Sequence, residues 1–101
     1  MAYKWPNLDP DEVQDYSVDW SRFLKTGDTI SSVLWFINGT GVTSYGQVDN
    51  LTMVQPTNTT TVATIRLTGG NAGTKYKVTC QITTADGLRY ERTINIAVRE
   101  K

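Results

Sequence analysis

The strongest constraint on the fold is a strict alternation of apolar and polar residues in the last third of the chain. Two alternating runs flank the dipeptide Asp86-Gly87, which is typical of a tight hairpin turn. The main apolar members of these runs are Tyr76, Val78, Cys80, Ile82, Leu88, Tyr90, Ile94, Ile96 and Val98. A period of two is that of a β-strand, so the pattern predicts an antiparallel ribbon with one apolar face. That face requires a second sheet to cover it.

Shorter segments of the same character fill most of the preceding chain, at spacings of about ten residues. We predict strands over residues 16–21, 29–37, 51–55 and 61–68, with a loop and a short edge strand within 38–50 and a polar turn over 56–60. The strand 29–37 ends in residues that are apolar on both faces, which indicates a central strand or one whose outer face is covered. About seven short strands in a chain of this length predict an all-β, immunoglobulin-like antiparallel sandwich.

Four residues are expected to have structural roles in this sandwich. Trp20 and Trp35 are the expected core aromatics, and Tyr76 opens the penultimate strand after a glycine-rich corner. A tyrosine at that corner commonly returns a hydrogen bond to the preceding loop. Cys80 is the one cysteine of the sequence and falls on the inward face, so we expect a small buried hydrophobe and no disulfide within the chain.

The first fifteen residues are predicted to form an arm, and residues 16–101 the sandwich. Prolines at positions 6 and 10 prevent a long helix, whereas Asp9 and Glu12 favour one capped helical turn. Large apolar residues that precede a core are typical of interface anchors, although the arm can equally fold back on its own subunit. The candidate partner-binding residues are Tyr3, Trp5, Leu8, Asp9, Asp11 and Glu12.

The composition argues against several functional classes. The sequence has no histidine, which removes the imidazole base, the histidine-bearing triads and the histidine metal sites. The acidic cluster of the arm lacks the glycine and the distal ligand of a calcium loop. We therefore expect no catalytic residue, no cofactor and no metal. No apolar stretch approaches the ~20 residues that span a bilayer, and the first residues lack a signal-peptide run, so no membrane association is expected.

The charges balance overall but not along the chain. Ten basic and ten acidic residues give a net charge of zero, which argues against nucleic acid as a partner. Residues 1–19 carry one basic and five acidic residues, a net charge of −4, while residues 66–101 carry seven basic and three acidic ones, a net charge of +4. The two segments either attract each other, within or between subunits, or are ordinary solvated surface. A small basic face of Arg66, Lys77, Arg89 and Arg92 beside Tyr90 would suit a carboxylate-rich protein surface.

Several segments resemble a family of small tailed-bacteriophage proteins. The stretch Trp5-Pro6-Asn7-Leu8-Asp9-Pro10-Asp11-Glu12, followed by Asp15-Tyr16-Ser17-Val18-Asp19-Trp20, is similar to the opening of that family, with Leu8 where a lysine is expected. Gly69-Gly70 with Gly73-Thr74 and Tyr76, and Thr83-Thr84-Ala85-Asp86-Gly87, match later motifs. Members are commonly described as fibre–tail adaptors or minor virion structural proteins. The resemblance implies a non-enzymatic virion protein with an immunoglobulin-like fold, present in several copies and assembled in the host cytoplasm.

Three hypotheses on function follow. The first is an adaptor that joins tail or head–tail components through its N-terminal arm and sheet edges, with tail, fibre, portal-proximal or capsid proteins as partners. The second is a cement or decoration protein of the capsid, which copy number per particle separates from the first. The third is a carbohydrate or host-surface binding module with Tyr45 or Tyr90 as a platform, which a glycan array tests.

Overall fold

Nine β-strands make up the described part of the chain in this computed structural model, which covers residues 3–4, 8–9, 11–42 and 45–99. No helix is present among those residues. The strands are β1 (Tyr3–Lys4), β2 (Val13–Asp19), β3 (Ile30–Ile37), β4 (Thr40–Val42), β5 (Tyr45–Val48), β6 (Leu51–Asn58), β7 (Val62–Gly69), β8 (Thr74–Thr84) and β9 (Arg89–Val98).

The strands form two sheets that face each other across one core. The first sheet has the order β1-β9-β8-β3-β4 and the second the order β2-β7-β6-β5. All pairs are antiparallel except β1 with β9, which run parallel. The predicted immunoglobulin-like sandwich is therefore confirmed. Two strands exceed the predicted number, because β1 lies within the predicted arm and the segment 38–50 contains both β4 and β5.

The C-terminal ribbon has the predicted form. Strands β8 and β9 pair in continuous register from Thr74 opposite Val98 to Thr83 opposite Arg89. The hairpin closes where the Thr84 amide donates to the Leu88 carbonyl at 2.8 Å. Gly87 adopts φ 86°, a left-handed conformation that glycine accepts without steric cost. The hairpin turn predicted at Asp86-Gly87 is therefore present.

The core consists of the inward rows of both sheets. Trp35 lies opposite Cys80 in the β3–β8 register, and Trp20 packs just beyond the end of β2. Trp20, Trp35, Tyr76 and Cys80 are all buried. The largest of the other fully enclosed side chains are mostly aliphatic, among them Leu8, Ile37, Leu51, Met53, Ile65, Leu67, Val78, Ile82, Ile94 and Ile96.

Two element boundaries differ from the prediction. Strand β2 begins at Val13 and not at Tyr16, so the sandwich extends across the predicted boundary at residue 15. Strand β6 continues to Asn58, through the segment predicted as a polar turn. Its pairing with β7 shifts between Val54 and Thr57, and Pro56 lies within that irregularity. Proline has no amide to donate to the ladder, so it is tolerated at a point where the ladder is already interrupted.

Candidate interaction sites

The described residues of the predicted arm are an edge of the first sheet. Tyr3 and Lys4 pair in parallel with Ile94 and Asn95 of β9. Further along, the Leu8 amide donates to the Ala97 carbonyl at 2.9 Å, and the Arg99 amide donates to the Leu8 carbonyl at 2.8 Å. These contacts place the described residues Tyr3, Lys4 and Leu8 along the outer side of β9.

The Leu8 side chain is buried within its own subunit. It is 0% exposed and belongs to the same hydrophobic cluster as the inward rows of both sheets. The prediction that Leu8 binds a partner protein is therefore wrong, because its parallel bridge to Val98 turns the side chain into the chain's own core. Trp5 lies outside the described residues, and only the backbone of Tyr3 is described, so their roles stay predictions.

A hydrogen-bonded turn holds the acidic residues that follow. The Asp9 amide donates to Glu12 Oε1 at 2.9 Å, and the Glu12 amide donates to the Asp9 carbonyl at 2.9 Å. The Asp11 amide donates to Asp9 Oδ1 at 2.9 Å. Thr68 Oγ1 donates to the Glu12 carbonyl at 2.8 Å and fixes the turn to β7. Asp9 and Glu12 thus shape the backbone, whereas Asp11 is exposed.

An ion pair joins the acidic segment 1–19 to the basic segment 66–101 within one subunit. Arg66 Nε lies 2.8 Å from Asp15 Oδ1, across the outer face of β7 and β2. The hydrogen bond from Arg66 holds the pKa of Asp15 below its usual value, and the same contact raises the pKa of Arg66.

The four residues of the predicted basic face do not lie on one surface. Arg66 lies on the second sheet, while Arg92 lies on the first. The predicted basic face of Arg66, Lys77, Arg89 and Arg92 is not assembled.

A cleft at the end of β2 is the site that the sequence prediction missed. The chain leaves β2 through a tight turn in which the Phe23 amide donates to the Trp20 carbonyl at 2.9 Å. This turn buries the Trp20 indole and leaves Phe23 40% exposed. The Trp20 and Phe23 rings meet edge to face with centroids 5.7 Å apart, and the Tyr90 ring centroid lies 6.4 Å from that of Trp20.

Arg92 is stacked into this aromatic cluster. Its guanidinium carbon lies 4.3 Å from the Phe23 ring centroid and 5.6 Å from that of Trp20, which are cation–π distances. By the alternation of β9, Arg92 shares its side of the strand with Ile94 and Ile96, which face the interior. A cation on an inward row is the sequence signal for this site, whereas the predicted basic face combines Arg92 with residues of the outward rows.

The cleft has a volume of about 430 Å³ and is lined by Asp19, Arg22, Phe23 and Arg92. Asp19 Oδ1 accepts a hydrogen bond from the Ser21 amide at 2.9 Å. That bond, with the Ser21 hydroxyl and the Arg22 charge, lowers the pKa of Asp19, so its carboxylate is ionised at neutral pH. Two cations, one anion and an exposed ring suit the binding of a carboxylate, which guanidinium groups recognise through paired hydrogen bonds.

The Cys80 thiol is buried and unreactive, and Tyr45 and Tyr90 lie on different sheets. Burial raises the pKa of the Cys80 thiol to about 12, while the contact with the Trp20 side chain acts in the opposite direction. Tyr45 is 68% exposed on β5, whereas Tyr90 is half-buried on the other sheet, so the two form no common platform.

Among the described residues, no three His, Cys, Asp or Glu side chains are grouped as metal ligands. No helix in this part of the chain is long and apolar enough to cross a membrane.

Comparison with known proteins yields one family and one fold. The sequence model of the family described as podophage GP4 fibre-tail adaptor protein gp77 matches residues 8–97. Among solved structures, the M4 domain of titin in a trigonal crystal form is similar, with a TM-score of 0.67 and 13% identity over 97% of this chain and 90% of that one. At this identity the similarity concerns the fold alone. No curated protein matches the chain.

Proposed function

Since the chain belongs to the podophage GP4 fibre–tail adaptor family gp77, we propose that it is a non-enzymatic structural protein of a podophage virion that joins fibres to tail or head–tail components. The observation that carries the proposal is the extent of the family match. Residues 8–97 include Leu8, the acidic turn and all strands from β2 to β8. The similarity therefore covers the sandwich except β1 and the last residue of β9, and is not limited to one shared motif.

The architecture supports a connecting role. The sheets end in the edge strands β1, β4, β2 and β5, whose outer backbone groups are the kind that pair with an added strand of another protein. The inward rows of both sheets pack into one hydrophobic core, so the sandwich can act as a rigid block between partners. We propose that several copies act in each particle.

The N-terminal segment is proposed as one contact with neighbouring virion proteins. Tyr3 and Lys4 pair with β9, and the buried Leu8 bridges to Val98, so these described residues are held on the first sheet. The proposed contacts are made by Tyr3, Trp5 and the acidic turn with Asp9, Asp11 and Glu12. Asp11 is the exposed acid of that turn. The proposed contact surface is therefore attached to the sandwich at Tyr3, Lys4 and Leu8.

The test uses particles grown with a nonsense codon in the gene for this protein and complemented from a plasmid. Without complementation we expect particles that lack fibres in electron micrographs, and with the wild-type gene we expect fibres to be restored. Quantitative mass spectrometry should then give on the order of a dozen copies per particle, against on the order of hundreds for a capsid decoration protein. Particles that carry a full set of fibres without the protein would overturn the adaptor role.

A matched pair of variants tests the N-terminal contact. Asp11→Lys reverses the exposed charge of the turn, and Glu91→Lys makes the same charge change on the exposed side of β9. Complementation by Asp11→Lys is expected to give fewer fibres per particle, while Glu91→Lys gives wild-type numbers. Equal fibre numbers for the two variants would exclude Asp11 from the interface.

A further inference from the structure

The cleft beside Phe23 is the feature that the family assignment leaves unexplained. Its residues come from the end of β2, the turn after it and the middle of β9, so both sheets contribute to its walls. The cleft is not part of the hydrophobic core, since the Trp20 side chain beneath it is already buried. We propose that this cleft binds the carboxylate side chain of an acidic residue that a neighbouring virion protein inserts. The proposal rests on the proposed function for the source of that residue.

Arg92 makes the cleft preorganised. Its guanidinium lies over the rings of Phe23 and Trp20, so its position is fixed before any ligand arrives. A stacked guanidinium loses little conformational entropy when it orients a bound carboxylate. Arg92 is therefore the positioning cation of the site.

Arg22 is the cation that binds the ligand carboxylate directly. It lies in the exposed turn after β2 and lines the same cleft as Arg92. Its side chain is long enough to close over a carboxylate and to donate two parallel hydrogen bonds to it. Phe23 adds an exposed apolar ring beside the charged groups, so the ligand is expected to be an acidic residue with an apolar neighbour rather than an isolated anion.

Asp19 limits the charge of the ligand. Its carboxylate stays ionised and lies on the wall of the cleft, so the four lining residues have a net charge of +1. A single carboxylate neutralises that charge, whereas a second negative charge would be repelled by Asp19. This balance favours a protein carboxylate over a phosphate-rich partner such as nucleic acid, whose binding depends on many basic residues.

The experiment titrates two peptides into the isotope-labelled full chain and follows its NMR spectrum. The probes are acetyl-Ala-Glu-Phe-amide and acetyl-Ala-Gln-Phe-amide, which differ only in the charge of the middle side chain. We expect saturable shifts of the Arg22 and Arg92 guanidinium signals and of the Phe23 amide with the glutamate peptide. The glutamine peptide should bind about tenfold more weakly, the loss expected when a charged hydrogen-bond partner becomes neutral.

Two variants complete the test. Arg22→Gln is expected to lose the preference for the glutamate peptide, and Lys25→Gln, an exposed cation later in the same loop, is expected to keep it. Thermal melting of each variant verifies that the fold is intact. Equal binding of both peptides to the wild-type chain, or an unchanged preference in Arg22→Gln, would overturn the proposal. Because no virion is involved, a negative result here leaves the adaptor test untouched, and failure of the adaptor role would leave a positive titration standing.

Discussion

The hydroxyl of Tyr76 donates a hydrogen bond to the carbonyl oxygen of Asp49 at 2.7 Å, across the interior of the sandwich from β8 to the turn between β5 and β6. The same hydroxyl accepts a hydrogen bond from the Asn71 amide at 2.9 Å. Tyr76 is fully buried, so these partners satisfy a polar group that has no access to water. One side chain therefore holds the glycine-rich corner and the β5–β6 turn together.

Removal of this hydroxyl should destabilise the fold with little change of shape. Tyr76→Phe removes the acceptor of the Asn71 amide and leaves the Asp49 carbonyl with only the long hydrogen bond from the Asn71 side chain at 3.4 Å. We expect the free energy of unfolding to fall by about 1–3 kcal/mol. Urea denaturation followed by tryptophan fluorescence measures the change. Tyr45→Phe removes a hydroxyl from a side chain that is 68% exposed and should alter stability by less than about 0.5 kcal/mol. Equal effects of the two variants would contradict the role given to Tyr76.

The sequence predicted one of the two bonds of Tyr76 and not the other. A tyrosine after a glycine-rich corner is typical of this fold, and the bond to Asn71 lies five residues away in the chain. The bond to Asp49 joins residues 27 positions apart, and no local pattern reports such a pair. In general the period-two alternation predicted the strands and their inward faces, because alternation records burial directly.

The two missed features have specific physical causes. Prolines and aromatic residues near the N-terminus suggested a detached arm, but a parallel edge strand needs only a few backbone bonds and one buried side chain, which Leu8 supplies. The cleft was missed because its members are far apart in sequence and meet only when the turn after β2 covers β9. Arg92 at an inward position was its one local signal.

The burial of Leu8 predicts that the N-terminal segment is part of the folding unit. Leu8→Ala removes a side chain that is 0% exposed and leaves a cavity beside Val98, so we expect a loss of about 2–5 kcal/mol of stability. Val13→Ala truncates a side chain that is 60% exposed and should cost less than about 0.5 kcal/mol. Urea midpoints of the two variants give the comparison. A Leu8 variant as stable as the wild type would show that the segment does not support the core.

The environment of Cys80 predicts an unreactive thiol in the folded chain. Its pKa is raised to about 12, and the thiolate is the species that reacts with disulfide reagents, so we expect no modification at pH 8 under native conditions. In concentrated guanidinium chloride one equivalent should react within minutes. A chromogenic disulfide reagent measures both rates. Rapid reaction of the native chain would mean that Cys80 is reached without global unfolding.

The lowered carboxyl pKa values predict a loss of stability in acid. The hydrogen bond from Arg66 lowers the pKa of Asp15, and the bond from the Ser21 amide lowers that of Asp19, both from an ordinary value of 3.8. Their stabilising contribution is complete above that ordinary value and is lost as the pH falls through the lower values of the folded state. Melting temperatures between pH 2 and 7 should therefore be flat near neutrality and fall below about pH 4. Asp15→Asn should make the fall shallower, and an unchanged profile in that variant would remove Asp15 as a cause.

The stacking of Arg92 predicts that charge alone cannot replace it. Arg92→Lys keeps the positive charge but loses the planar group that lies over Phe23 and Trp20, and we expect a loss of about 0.5–1 kcal/mol in stability. The NMR signals of the Phe23 ring should also shift, since the guanidinium plane no longer lies above it. Arg89→Lys makes the same substitution on the exposed side of the same strand and should change neither quantity. If Arg92→Lys leaves both the stability and the Phe23 ring signals at their wild-type values, the guanidinium is not stacked on the ring in solution.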